Sequence, residues 1–283
     1  MRLPSKLGAV VLLVLLGLLA SLTLSWTSRD LDVCGTSITL SGRALLGLAL
    51  VCIAWSGTDL VVRQHARVTG GRLGLASSHS ILPAMLTASA PVLLAQLLPS
   101  RAKMVGLAAT GVLLGVLMAC ECYRLTWSTR SGAVIQPFLQ LAAYLVAMLG
   151  WVAIRVLALG SLPHALGVAT VGALCARRVL WAATPPGVQP VSGEDRVTRS
   201  IKAIARQDWP RAVTLGLVLS ILAWPMHRWV TSPLWFAASL AVVLYVLAGL
   251  LNYSLSGRLT RALALEYLVI ALLALVALTA RSH

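Results

Sequence analysis

Residues 233–253, PLWFAASLAVVLYVLAGLLNY, contain no charged side chain. A bilayer core of about 30 Å is crossed by roughly 20 apolar residues in helical form, so this run has the length of one span. It is continuous and rich in Leu, Val and Ala. A transmembrane β-strand would instead show short alternation between apolar and polar positions. Lipid offers backbone groups no hydrogen-bond partner, and a helix satisfies them within one segment.

Runs of the same kind recur on both sides of it. Spans are expected near Leu7–Leu24, Gly42–Val62, Ile81–Leu98, Met104–Cys120, Ile135–Leu157, Pro163–Trp181, Ala212–Met226, Pro233–Tyr253 and Ala262–Ala280. The fold class that follows is an all-α, polytopic transmembrane bundle of about nine spans. Composition agrees: 59% of the 283 residues are hydrophobic and 11% are charged, against about 25% charged in soluble domains.

Charge placement orients the bundle. With the N-terminus inside, sixteen of the 23 Lys and Arg residues fall on the cytoplasmic side and seven on the opposite side. Cytoplasmic loops carry such an excess of basic residues. Trp26, Trp127, Trp181, Trp209, Trp229 and Trp235 lie near proposed span ends, where indole rings favour the interface. A net charge of +15 raises the question of nucleic acid. The basic residues sit between apolar runs rather than in one patch with interleaved aromatics, and nucleic-acid binding is set aside. The expected location is a bacterial-type inner membrane. Arg2 and Lys6 before a Leu/Val run also describe a signal peptide, but no A-x-A site follows, so a retained anchor helix is expected.

The chain reads as one integral membrane domain, with six spans in 1–183 and three in 211–283. Between them, Thr184–Pro210 is the longest polar stretch, opening with Pro185-Pro186-Gly187. Ser192 stands three residues before Asp195 in a capping-box-like start. Val197, Ile201 and Ile204 then repeat on one helical face, and Arg199, Lys202 and Arg206 on another. This pattern predicts a cytoplasmic amphipathic helix on the anionic membrane surface. A partner-docking helix would have the same pattern. The loop Arg63–Ser80 reads as a basic, glycine-bearing connector.

Only Asp59, Glu121 and Glu266 place carboxylates in or at the edge of the spans. An ionisable group at such depth is a functional hypothesis by default. In the alternating topology all three fall on the cytoplasmic side, near Arg63, Arg124 and Arg261. Asp59–Arg63 is an i,i+4 pair and Glu121–Arg124 an i,i+3 pair, both spacings that bring side chains together. One reading has each acid satisfied by its own arginine. The other has the second, fourth and ninth helices converging, so that Asp59, Arg63, Glu121, Arg124, Arg261 and Glu266 line a polar pocket able to bind a metal-phosphate headgroup or carry cations. The self-satisfied reading is preferred, since each acid has a base close by on its own helix.

No metal site or cofactor is assigned. Cys120 and Cys122 point to nearly opposite sides of a helix, and the cysteines are expected to be free thiols. His164 and His227 fall near outer span ends and read as interfacial histidines. Ala76-Ser77-Ser78-His79-Ser80 matches only the Ser-His core of type-2 phosphatidic-acid phosphatases. The second histidine with its aspartate and the upstream Lys/Arg-Pro motif are missing, so the match carries no assignment. The expected function is a non-catalytic accessory, structural or assembly component of a membrane complex, with lipid and other membrane proteins as partners. Gly111-x-x-x-Gly115 is a minimal helix-packing motif suited to it. The alternatives are a transporter or lipid flippase, and a cytoplasm-facing enzyme acting on a lipid or isoprenoid headgroup.

Overall fold

The computed structural model describes residues 3–23, 28–33, 36–69, 77–126, 129–157, 160–183, 194–229, 232–255 and 260–280. The framework is helical: α1 (Leu3–Thr23), α2 (Gly42–Thr69), α3 (Ile81–Gln96), α4 (Ser100–Thr126), α5 (Thr129–Val156), α6 (Ser161–Ala183), α7 (Glu194–Trp229), α8 (Pro233–Leu255) and α9 (Arg261–Ala280). Among the described residues, six segments are long and apolar enough to cross a membrane: Ser5–Thr23, Leu45–His65, Ser100–Arg124, Ile135–Val156, Trp209–Met226 and Pro233–Ser254. The shorter α3 is also apolar. At a rise of 1.5 Å per residue its 16 residues reach about 24 Å, less than a full bilayer core.

One element was not expected. Strands β1 (Ser28–Val33) and β2 (Thr36–Ser41) form an antiparallel hairpin between α1 and α2, with Leu31 opposite Ile38 and Val33 opposite Thr36. A second difference concerns α7. The polar segment and the following span form one helix of 36 residues that runs through Pro210 without a break. Proline in a helix interior removes one ladder hydrogen bond. Here it stands at the junction of the polar and apolar halves, and its own carbonyl accepts a hydrogen bond from Thr214 Oγ1 at 2.9 Å. Ser192, the glycines of 70–74 and the side chains of 194–208 lie outside the described residues.

The helices gather into two compact units, residues 1–73 with 83–126 and residues 74–82 with 127–283. The division falls between α4 and α5, and α7 with its polar first half belongs to the second unit.

In the first unit α1 packs on both α2 and α4. A Cβ added to Gly57 would meet Val10, and one added to Gly111 would come within 2.6 Å of Leu15. Gly17 against Leu50 with Gly57 against Val10, and Gly111 against Leu15 with Gly115 near Val11, run in opposite chain order and make α1 antiparallel to both neighbours. In lipid no hydrophobic force draws apolar helices together, so close packing at small residues supplies the attraction. Gly111 has this role, whereas a Cβ at Gly115 would meet nothing nearer than Val11 at 3.9 Å. Away from these seams the unit presents apolar surface, including Leu12, Leu48 and Val105.

The second unit is organised around α6 and α7. Ala165, Ala169, Gly172 and Ala173 on α6 face Gly216, Leu219 and Ser220 on α7. A Cβ at Gly216 would lie 2.3 Å from the carbonyl oxygen of Ala169. Ser220 Oγ donates to the Ala165 carbonyl at 3.0 Å, across the two helices. Fully buried Trp151 of α5 sends its indole N–H towards the Val168 carbonyl of α6 at 3.4 Å. The hydroxyls of Thr58, Thr87 and Ser239 bond the carbonyl one turn earlier on their own helices. This satisfies a hydroxyl internally, the condition for placing it among apolar side chains.

Candidate functional site

Four of the six charged residues singled out from sequence lie at one end of the first unit. Asp59 and Arg63 belong to the last turns of α2, Glu121 and Arg124 to the last turns of α4. The helix of α4 extends beyond the expected span end at Cys120, so Glu121 sits within regular helix and is 1% exposed. Arg63 Nε donates to Asp59 Oδ2 at 2.6 Å, the pair that the i,i+4 spacing requires. The Arg63 side chain is 49% exposed and that of Asp59 23%. A pair so open to its surroundings contributes at most about 1 kcal/mol in water.

Two further contacts tie this end together across helices. Lys6 Nζ, in the first turns of α1, donates to the Gln64 side-chain oxygen of α2. The rings of His65 and Tyr123 meet edge to face with centroids 6.5 Å apart, joining α2 to α4. Beside this cluster, Trp55, Ser56, Asp59, Leu60, Arg63 and Gln64 line an open depression of ≈ 310 Å³ on the outer surface of α2. Arg261 and Glu266 belong to the second unit, exposed on α9, which packs on α8.

The second unit holds polar residues that sequence reasoning passed over. Arg178 is fully buried in α6, one turn after Cys175, which is also buried. Its neighbour Arg177 instead lies over the ring of Trp209, 4.7 Å from the centroid. Cation–π pairs of this kind are worth about 0.5–1 kcal/mol when exposed and more when dry. Adjacent helical positions are about 100° apart, so a tandem pair of arginines cannot both face outward from one stripe. That spacing was the available signal.

Four of the five tyrosines also gather in this unit. Tyr144 of α5 meets Tyr245 of α8 at 5.7 Å. Tyr245 meets Tyr267 of α9 at 5.8 Å, and Tyr253 of α8 meets the same ring at 6.0 Å. At the other end of α6, buried His164 packs edge-on against Phe236 at 5.5 Å, and Arg155 approaches the same ring. The side chain of His227 lies outside the described residues.

The four described cysteines, Cys52, Cys120, Cys122 and Cys175, are free thiols. Among the described residues no three His, Cys, Asp or Glu side chains are grouped to hold a metal ion.

A family described as "Protein of unknown function (DUF5656)" matches residues 30–192 and 196–281, and the chain belongs to it. The match runs from the hairpin to α9 and includes every charged residue of the site except Lys6. No curated protein and no solved structure matches the chain.

Proposed function

We propose that this member of the DUF5656 family is a nine-span protein of a bacterial-type inner membrane, with its N-terminus in the cytoplasm, and that it serves as a non-catalytic component of a membrane complex. The six long apolar helices supply most of the spans. The short α3 together with α6 and α9 completes the nine; α6 is made less apolar by His164, Arg177 and Arg178. Antiparallel neighbours within each unit are what alternating passage requires.

The observation that carries the accessory role is the α6–α7 seam. Backbone lies against backbone at Gly216, Ser220 ties the helices, and Trp151 wedges α5 onto α6. Such packing holds one fixed arrangement and leaves broad apolar faces outward for lipid or another membrane protein. Transporters, in contrast, are typically built with interrupted helices at the binding site.

Transport is the second reading, and fully buried Arg178 favours it. A cation enclosed in a membrane bundle often marks a substrate path. One purification separates the two. The tagged protein, extracted in a mild detergent, is expected to bring a partner at fixed stoichiometry. A partner-free protein that supports solute or lipid flux in liposomes, lost in Arg178→Gln, would replace the accessory role with transport.

A further inference from the structure

We propose that the depression on α2 is a binding site for an anionic phospholipid, with the phosphodiester between Lys6 and Arg63 and an acyl chain running over Trp55 and Leu60. The site goes beyond the accessory role and does not depend on it. Its lining changes character along the helix. Towards the end of α2 it carries Arg63 and Gln64, one turn further in Asp59 and Leu60 stand side by side, and a second turn in it carries Trp55 and Ser56. That gradient is the one a phospholipid presents at the membrane surface.

The charge balance favours an anion. Asp59 is engaged by Arg63 through Nε alone, which leaves the two terminal amino groups of the guanidinium for a second acceptor. Two N–H donors side by side fit a phosphate. Lys6 is held by the neutral amide of Gln64, so its positive charge is not cancelled there. Lys6, Arg63 and Asp59 together carry one net positive charge. The volume of ≈ 310 Å³ is at the lower end for a small-molecule pocket and too small for a whole lipid. It suits a headgroup and the first part of one chain, the remainder lying in the bilayer along α2. The outward apolar side chain of Leu60, 54% exposed, continues that track.

The test uses the full chain, stripped of native lipid in detergent and offered phosphatidylglycerol or phosphatidylcholine, with bound lipid counted by native mass spectrometry. Phosphatidylglycerol should be retained in preference. Removing one basic residue near a membrane surface costs about 1 kcal/mol, so Lys6→Gln and Arg63→Gln should each weaken that retention about fivefold. Arg63→Lys should keep most of it. Phosphatidylglycerol with brominated chains should quench a fluorescence component that disappears in Trp55→Phe. Equal retention of the two lipids, or retention unchanged in both neutralised variants, would overturn the proposal. Displacement of the lipid by millimolar inorganic phosphate would also overturn it, by showing a site for a soluble anion. Should Arg63→Gln fail to fold, Lys6→Gln and the quenching measurement still decide.

Discussion

Gly216→Ala is expected to destabilise the second unit by about 1–3 kcal/mol, the range for forcing extra volume into a packed core. Gly216→Leu is expected to prevent α6 and α7 from pairing. The added Cβ would sit 2.3 Å from the Ala169 carbonyl oxygen and 2.9 Å from the Ala173 nitrogen. Backbone atoms of a neighbouring helix cannot rotate aside as a side chain can, so the helices themselves must separate. Separation also removes the Ser220 hydrogen bond to Ala165. Unfolding free energy in mixed micelles measures the effect. Gly47→Ala is the matched control, since a Cβ there meets nothing within 4 Å and the change should stay within about 0.5 kcal/mol. Equal effects at Gly216 and Gly47 would show that the seam is not held at backbone contact.

Trp151→Ala should cost more, about 3–5 kcal/mol by the same assay. Trp151 is one of the largest fully buried side chains and lies between α5 and α6. Truncation leaves a cavity that stiff helices cannot close, and Val168 loses its indole donor. Trp151→Phe keeps part of the volume and should lose roughly half as much. A Trp151→Ala variant as stable as the parent would place that side chain at a lipid surface instead of in the bundle.

The membrane character was legible because lipid restricts what can exist in it. A run such as 233–253 has essentially one outcome, and the helix Pro233–Leu255 follows it closely. The Asp59–Arg63 pair was legible for a similar reason, since helical spacing alone brings the two together. Contacts between helices were not. Periodicity identifies a face without naming its neighbour, so neither Lys6–Gln64 nor His65–Tyr123 was foreseen. The same limit applies to α9, whose apolar run does not name α8 as the helix it packs on.

Other differences had local signals. Arg-Asp-Leu-Asp-Val and Thr-Ser-Ile-Thr-Leu alternate with period two around Cys34-Gly35, a hairpin pattern hidden by its position between two strong spans. Pro210 closes the polar stretch in sequence, and a junction where a helix leaves the apolar layer is where the loss of one ladder bond is most easily tolerated. Arg178 is buried and its neighbour Arg177 is not, a difference that counting charge by side of the membrane cannot show. Its burial needs the packing of α6 against its neighbours, which composition does not contain.

Cysteine accessibility in intact cells tests the nine-span arrangement most directly. In a background without native cysteines, Ser100→Cys, Gly160→Cys and Ser232→Cys should react with a membrane-impermeant maleimide from outside. Thr126→Cys and Thr260→Cys should react only after the cells are opened. That alternation would put the polar end of the first unit, with Lys6, Asp59 and Arg63, in the cytoplasm. Labelling of Thr126→Cys from outside, or of two positions joined by a single span from the same side, would contradict it.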